Sequence, residues 1–344
     1  MSKHYLGMSH NCEIEISHTN TNKNVLIVGI CGSGKSVRLN EIEEEFLKSD
    51  TTATVIAIDI NGTRYQTELE NCQLIEVVED GLGLQLFDGF CVDEQDARMK
   101  ANMIAYVADL LSAGQRFGVR QKAALRAAIS FALSGNNLDN WIDDVKAALL
   151  LFETRHADSV LDVLEPLFAG EYLKPRMKEI KKGCLNIVSF KGINPSTQKV
   201  LIDIFLSILW KRKRSELEKE DGVMLSIDEF QNLNLYRESI LSQLLTEARK
   251  YHLHLILATQ TLARYDKIQL GILNQANAKL FFQPAKSDLS TIARMIDVEK
   301  AMYWYKILDN LKVGQAVAIG ELYLDNKKRY LNIPIITKSK FGLK

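Results

Sequence analysis

The sequence predicts an α/β protein with a mostly parallel central sheet and an inserted all-helical subdomain. Short apolar runs rich in β-branched residues alternate with stretches of helical periodicity, which is typical of parallel strands joined by crossover helices. Between residues 93 and 182 the apolar residues follow only helical periodicity, and this stretch predicts the insertion. The composition, with 47% hydrophobic and 25% charged residues, is that of a folded globular protein.

The insertion splits the predicted core into two segments. Residues 1–92 are the first part of the core, residues 93–182 the helical insertion, and residues 183–344 the second part. Two later apolar runs, 279–282 and 316–319, are interpreted as edge strands, and their order in the sheet is left open. Buried strands are predicted at 24–28, 54–58, 74–78, 185–190, 223–227 and 253–258. Helices outside the insertion are predicted at 35–48, 196–214 and 236–251.

Charge does not decide between partners. The formal net charge is zero, so the composition does not demand a nucleic acid in the way that a strongly basic chain would. Like charges cluster at 41–45, 181–182 and 211–214, and these clusters are interpreted as solvated helix faces.

Cysteine usage and hydropathy predict a cytoplasmic protein. No two of the five cysteines form a CxxC pair, which argues against zinc or redox chemistry and for reduced thiols. The first ten residues contain no apolar stretch of signal-peptide length, and no run reaches the roughly 18 apolar residues of a membrane span. The cysteines are Cys12, Cys31, Cys72, Cys91 and Cys184.

Residues 29–36 carry the strongest motif. They read Gly-Ile-Cys-Gly-Ser-Gly-Lys-Ser, which matches GxxxxGK[ST] directly after the predicted strand 24–28 and at the start of a predicted helix. Glycines let the backbone N–H groups face phosphates, and the helix directs its positive end toward them. Lys35 is expected to reach the β- and γ-phosphates, and Ser36 to bind Mg²⁺. The predicted Mg-ATP site is Gly29, Ile30, Cys31, Gly32, Ser33, Gly34, Lys35 and Ser36.

Two carboxylates follow the predicted strand 223–227. Asp228 and Glu229 lie at the carboxyl end of that strand, where parallel sheets place their ligands. Asp228 is predicted to hold Mg²⁺ and its water, and Glu229 to orient and deprotonate the attacking water. An apolar run ending in two acidic residues is also common where a strand enters a turn, so the assignment depends on the phosphate loop.

Residues 111–115 imitate another ATPase signature. They read Leu-Ser-Ala-Gly-Gln, similar to the ABC-transporter motif that completes an ATP site across a dimer. In those proteins the motif lies shortly before the acidic strand, whereas here more than a hundred residues separate it from Asp228. A turn between helices is the favoured interpretation.

Residues 246–260 carry a family resemblance. They read Thr-Glu-Ala-Arg-Lys-Tyr-His-Leu-His-Leu-Ile-Leu-Ala-Thr-Gln, a helix end followed by a strand that ends in Thr-Gln. With the phosphate loop and the acidic strand, the order resembles the HerA/FtsK superfamily of hexameric translocation ATPases, which includes type IV coupling proteins and conjugation ATPases. Segments 59–62 and 81–87 resemble the family more weakly. The resemblance covers most of residues 24–320 and implies a RecA-like P-loop fold.

Two further roles are implied by this resemblance. Gln260 corresponds to the glutamine that senses the γ-phosphate, and Arg249 to the arginine that reaches a neighbouring subunit's ATP. An arginine against the γ-phosphate neutralises transition-state charge and contributes about 10³ to 10⁵ in rate. The alternatives are a solvated helix-end cation for Arg249 and a strand-end side chain bonding local backbone for Gln260. No metal is expected from His252 and His254.

The sequence also departs from the family pattern. Cys31 replaces a usual threonine and His252 replaces a common glycine, and no segment is assigned to the amino-terminal β-barrel or membrane anchor of some branches. These departures leave the substrate and the branch open.

The resemblance implies an ATP-hydrolysing ring, expected to be a hexamer, that moves a polymer, with DNA favoured. A membrane-bound secretion or conjugation partner is also among the expected partners. The alternatives are a secretion ATPase for protein substrates and an ATP-controlled scaffold with little turnover. Candidate DNA contacts are 191–194, 211–214 and 232–238.

Overall fold

The computed structural model divides the chain into two compact units. The first consists of residues 1–74, 180–189 and 213–344, and the second of 75–179 and 190–212. The domain boundaries given from the sequence stay a prediction. The structure describes residues 4–16, 21–64, 71–82, 97–112, 117–134, 141–173, 178–215, 222–324, 329–331 and 333–340.

Within the described residues, one sheet contains thirteen strands, in the order β12-β11-β2-β1-β13-β10-β9-β3-β8-β7-β4-β6-β5. The strands are β1 (Tyr5–Ser9), β2 (Cys12–Ile16), β3 (Val25–Val28), β4 (Thr54–Asp59), β5 (Cys72–Glu76), β6 (Leu185–Ser189), β7 (Val223–Ile227), β8 (Leu253–Thr259), β9 (Ala278–Phe281), β10 (Gln315–Ile319), β11 (Leu322–Leu324), β12 (Arg329–Leu331) and β13 (Ile335–Lys338).

The centre of the sheet is parallel. Strand β3 pairs in parallel with β8 and β9, β7 pairs in parallel with β8 and β4, and β4 also pairs in parallel with β6. Every residue of β3, β4, β6 and β7 is buried, which is why these strands read as continuous apolar runs. The predicted α/β class with a mostly parallel central sheet is confirmed.

Antiparallel strands extend this centre on one side. Strand β10 pairs antiparallel with β9 and β13, and β1, β2, β11 and β12 continue the sheet. The interpretation of 279–282 and 316–319 as edge strands is therefore wrong, since β9 lies between β3 and β10, and β10 between β9 and β13. Strands β1, β2, β11, β12 and β13 come from segments near the two ends of the sequence, and none contains a continuous apolar run that would predict a strand.

The helices comprise connections of the sheet and an inserted group. The described residues between 97 and 173 contain helices and turns but no strand, which agrees with an all-helical insertion. No helix in the described ranges is both long and apolar enough to cross a membrane. The helices are α1 (Lys35–Ser49), α2 (Val77–Asp80), α3 (Ala97–Leu111), α4 (Val119–Ala132), α5 (Trp141–Leu151), α6 (Arg155–Ala169), α7 (Pro195–Ser215), α8 (Ile240–Glu247), α9 (Lys267–Leu273), α10 (Leu289–Ile296) and α11 (Ala301–Asp309).

A buried arginine of helix α1 contacts strands β1 and β13, which lie near the two ends of the sequence. Arg38 is 1% exposed, and its Nε lies 3.1 Å from Glu41 Oε2. Its Nη1 atom donates to Leu6 O of β1 and, at 3.1 Å, to Thr337 Oγ1 of β13. The Nη2 atom donates to Gly314 O at 3.3 Å. One guanidinium therefore fixes α1 against the antiparallel part of the sheet.

Two charge clusters differ from their sequence interpretation. Glu41 and Glu43 are 2% and 1% exposed, so the prediction that 41–45 is a solvated helix face is wrong for these residues. Within 211–214, Lys213 is 7% exposed, and the Lys211 ammonium lies 3.7 Å from the centroid of the Tyr106 ring. Like charge along a helix does not reveal whether other elements supply counter-charges.

Replacing Arg38 with alanine should destabilise the protein strongly, because Glu41 would remain buried without its cation. Removing one partner of a buried ion pair costs about 3–5 kcal/mol of unfolding free energy. Lys48→Ala is the matched control on the same helix, since the Lys48 side chain is 53% exposed and pairs with Glu44. The control should lose less than about 1 kcal/mol. Urea unfolding of both variants measures the difference, and equal losses would contradict a structural role for Arg38.

Candidate functional site

The glycine-rich loop joins β3 to α1, as predicted. Gly34 has φ 102° and precedes the first residue of α1. A Cβ atom there would lie 2.9 Å from Gly314 N, so only glycine fits this position. Gly314 N also donates to Ser33 O at 2.9 Å. The loop is thus held against the turn that leads into β10.

Lys35 lies inside this loop. It is 4% exposed, and its Nζ donates to Ile30 O at 3.0 Å, so the side chain folds back over the loop. Burial lowers the pKa of Lys35, and the negative charges of Glu229 and Asp228 oppose that effect. The lysine and the two carboxylates therefore share one electrostatic environment.

Ser36 and Asp228 meet, although they lie 192 positions apart in the chain. Ser36 Oγ donates to Asp228 Oδ2 at 2.8 Å, which joins the start of α1 to the end of β7. Asp228 Oδ1 accepts from Glu229 N at 2.9 Å. An alcohol and a carboxylate in contact are the kind of oxygen ligands that Mg²⁺ uses together with substrate phosphates. No group of three His, Cys, Asp or Glu side chains in the described residues could hold a metal alone.

Glu229 is held by two glutamines. Gln260 Nε2 donates to Glu229 Oε2 at 2.7 Å, and Gln231 Nε2 donates to the same oxygen. Gln260 N points toward Gln231 Oε1 at 3.4 Å. The predicted pair Glu229 and Gln260 is thus brought together. Gln231 was missed from the sequence, because a glutamine in a turn after a strand matches no motif.

A buried charged network joins Glu43 of α1, Ser226 of β7 and Arg64, which follows β4. Arg64 Nη1 lies 2.8 Å from Glu43 Oε1 and donates to Ser226 Oγ at 3.4 Å. Ser226 Oγ also donates to Glu43 Oε1. Burial lowers the pKa of Arg64, but Glu43 foremost and then Asp228 raise it, and the net shift is upward.

This network and the Ser36–Asp228 contact connect the same two elements, helix α1 and the carboxyl-terminal end of β7. Ser36 and Glu43 are seven residues apart and lie on one face of α1, while Ser226 lies in β7 two residues before Asp228, which directly follows that strand. Two side-chain contacts therefore join the helix to the strand. The second contact is not evident from the sequence, because Glu43 lies in a run of acidic residues that predicts a solvated helix face.

The segment after β4 brings Arg64 into the network. The Asp59 carboxylate accepts from the backbone N–H groups of Gly62, Thr63 and Arg64 at 2.9, 3.1 and 3.1 Å. Such a turn ordered by an aspartate side chain explains the weak family-like pattern at 59–62. The other weakly matching segment, 81–87, lies outside the described residues from position 83 onward.

Arg249 is not brought to this cluster. It lies exposed in a short 3₁₀ helix, Ala248–Tyr251, and makes no hydrogen bond or ion pair within the described parts of the chain. His252 follows with φ 54°, a left-handed conformation that explains why a glycine suits this position. His254 packs 4.6 Å from the His4 ring, and burial, Lys23 and His252 lower its pKa to about 4.

The remaining sequence candidates are placed as follows. Within 191–194, Ile193 is buried. Within 232–238, Tyr236 is 50% exposed whereas Leu233 and Leu235 are buried. The motif-like segment 111–115 and Cys91 fall partly or wholly outside the residues that the structure describes.

Solved structures share this fold. VirB4 of Thermoanaerobacter pseudethanolicus matches with a TM-score of 0.71 at 18% identity, covering 99% of this chain and 97% of that chain. The bacterial conjugative coupling protein TrwBdeltaN70 matches with a TM-score of 0.67 at 14% identity, covering 96% and 87% of the two chains. No protein-family model and no curated protein sequence matches. The RecA-like P-loop fold implied by the HerA/FtsK resemblance is confirmed.

The Glu43–Arg64 pair should show strong coupling in a double-mutant cycle. Arg64→Leu leaves Glu43 buried and unpaired, which should cost about 3–5 kcal/mol of unfolding free energy. Adding Glu43→Leu removes the unpaired charge, so the double variant should be more stable than Arg64→Leu alone. Urea unfolding of the single and double variants measures the coupling. Additive losses would contradict a direct interaction between the two side chains.

Proposed function

We propose that the chain is a Mg²⁺-dependent ATPase that works as a ring-shaped DNA motor in the cytoplasm. The observation that carries the proposal is the 2.8 Å contact between Ser36 of the phosphate loop and Asp228 of the acidic strand. That contact joins the two halves of a nucleotide site from distant parts of the sequence.

The residues around this contact suit ATP and Mg²⁺. Backbone N–H groups of the 29–34 loop face phosphate oxygens in such sites, and Lys35 supplies a positive charge to the β- and γ-phosphates. Ser36 and Asp228 would hold Mg²⁺, which neutralises charge on the phosphate oxygens when bound. TrwB structures contain the ATP analogue ADPNP in one case, and ADP with Mg²⁺ in another. The shared fold supports the same ligands here.

Glu229 and Gln260 supply the hydrolytic chemistry. Glu229 is the carboxylate that accepts a proton from the attacking water, because it follows Asp228 and extends from the same strand end. Gln260 extends from the end of the neighbouring strand β8 and fixes one oxygen of that carboxylate at 2.7 Å. Both side chains are half-buried, so they remain reachable by water.

The motor assignment rests on motif order and on the fold. TrwB is a bacterial conjugative coupling protein, and its fold covers nearly all of this chain. Arg249 is exposed and makes no ion pair with the residues that the structure describes, which suits a residue that reaches the ATP of a neighbouring subunit in a hexameric ring. Loop residues Tyr236 to Glu238, which include Arg237, are exposed after the acidic strand and would contact the DNA backbone.

Hydrolysis by the unaltered protein, Lys35→Ala and Glu229→Gln tests the site. Lys35→Ala should lose nucleotide binding or turnover, because the loop loses its charge on the phosphates. Glu229→Gln should bind ATP but hydrolyse it about 10²–10⁴-fold more slowly, since it loses the general base. Single-turnover hydrolysis and ATP affinity measure the two effects. Normal hydrolysis by Glu229→Gln would reject Glu229 as the base.

The same assay with and without double-stranded DNA tests the substrate. DNA should raise the steady-state rate of the unaltered protein and leave Lys35→Ala inactive. Basal turnover without DNA stimulation would favour the secretion ATPase acting on protein, and negligible turnover with tight ATP binding would favour the scaffold. Mass measurement of the assembly with bound ATP tests the ring.

Mixing variants tests the role of Arg249 between subunits. Arg249→Ala should lower turnover by about 10³ to 10⁵ if its guanidinium neutralises transition-state charge. Mixed oligomers of Arg249→Ala and Lys35→Ala should regain part of the activity, because intact loops then face intact arginines. Lys250→Ala, the exposed neighbouring cation, is the control and should keep its rate. Well-mixed oligomers without recovery would contradict action across an interface.

A further inference from the structure

Gln231 bridges the two strand ends that carry the hydrolytic residues. Its Nε2 donates to Glu229 Oε2, and its Oε1 faces Gln260 N at 3.4 Å. Glu229 follows β7 and Gln260 follows β8, which pair in parallel. One side-chain amide therefore links a carboxylate at one strand end to the backbone at the next.

The backbone that presents Gln231 is tightly constrained. Asn232 N donates to Glu229 O at 3.0 Å, and Leu233 N donates to Phe230 O at 2.9 Å, which closes a 3₁₀ turn. Phe230 is fully buried and stacks on the Tyr265 ring at 5.8 Å. A side chain carried by such a turn has little freedom, so Gln231 is preorganised.

The backbone conformation of Glu229 and the hydrogen bonds to its carboxylate show that this side chain is restrained. It adopts φ 58°, a left-handed conformation that non-glycine residues seldom take and that usually persists at functional sites. Both amide donors engage Oε2, whereas Oε1 accepts no hydrogen bond from the residues that the structure describes. The carboxylate is thus held by one oxygen, and the other is left for water.

We propose that Gln231 is a positioning residue for hydrolysis, holding Glu229 Oε2 so that Oε1 takes the proton of the attacking water. The inference rests on the proposed ATPase function. Gln260 Nε2 is the other donor to this oxygen, at 2.7 Å. The family resemblance implies a γ-phosphate contact for Gln260, and Gln231 would be the donor that keeps Glu229 oriented if Gln260 made that contact.

Two substitutions at position 231 test the assignment. Gln231→Leu removes both polar contacts at similar size, and Gln231→Glu keeps the shape but, when ionised, places a second negative charge beside Glu229 in place of a donor. Single-turnover hydrolysis at saturating Mg-ATP should fall about 10-fold or more in each, a part of the 10²–10⁴ that a positioned base contributes. The ATP affinity of Gln231→Leu should change by less than about twofold, since the contact acts on the base and not on bound nucleotide.

The control is Gln243→Ala, which should hydrolyse ATP at the unaltered rate. Gln243 donates to Glu238 O at 3.3 Å in the same region but does not touch Glu229. Thermal unfolding of each variant accompanies the kinetics. A merely structural role for Gln231 would lower ATP affinity and thermal stability together with the rate, and that result would overturn the proposal.

The outcomes also separate this inference from the proposed function. If Gln231→Leu hydrolyses ATP normally while Glu229→Gln is slow, Gln231 is not a positioning residue and the ATPase assignment stands. If Glu229→Gln itself hydrolyses ATP normally, the base assignment fails and Gln231 loses its role with it.

Discussion

The site depends on the register between helix α1 and strand β7. Strands β3, β8 and β7 are neighbours and run in parallel, so their carboxyl ends meet at one edge of the sheet. The loop before Lys35 follows β3, Asp228 follows β7, and Gln260 follows β8. Open α/β sheets bind ligands at this edge. Three segments far apart in sequence thereby supply the phosphate loop, the carboxylates and the amide of one site.

Buried charge around α1 has a meaning beyond stability. Arg38, Glu41, Glu43 and Arg64 all sit in or against this helix with little exposure. Taking such pairs out of water costs free energy that their attraction only partly returns, so they are weak evidence of stabilisation. Their geometry is directional, however, and a helix that slid along its axis would break the Arg64–Glu43 pair and the hydrogen bonds from Arg38 to β1, β13 and Gly314. We infer that they hold the register of the helix that carries Lys35 and Ser36.

The sequence predicted what is local and missed what is contributed by distant segments. The strand, loop and helix around Lys35 are consecutive, and apolar runs mark the parallel strands because both faces are buried. Arg64 and Glu43 belong to different elements, so nothing along the chain indicates that they pair. Strand β13 alternates buried and exposed residues within four positions, which is too short a pattern to separate from a loop. Gln231 becomes meaningful only when the ends of β7 and β8 are side by side.

The ion pairs of the arginines determine which of them could reach a phosphate bound at this site. In the proposed ATPase, hydrolysis would spread negative charge over the γ-phosphate oxygens, and Lys35 and Mg²⁺ would neutralise only part of it. Arg38 is engaged by Glu41 and main-chain carbonyls, and Arg64 by Glu43 and Ser226, so either would have to abandon a buried carboxylate to reach a phosphate. Leaving that carboxylate unpaired costs several kcal/mol. Arg249 makes no ion pair or hydrogen bond among the described residues, and it does not contact Lys35, Asp228 or Glu229 of its own chain. In the proposed ATPase, Arg249 of a second copy would supply the additional charge without breaking a buried ion pair, and assembly would then be a condition for fast hydrolysis.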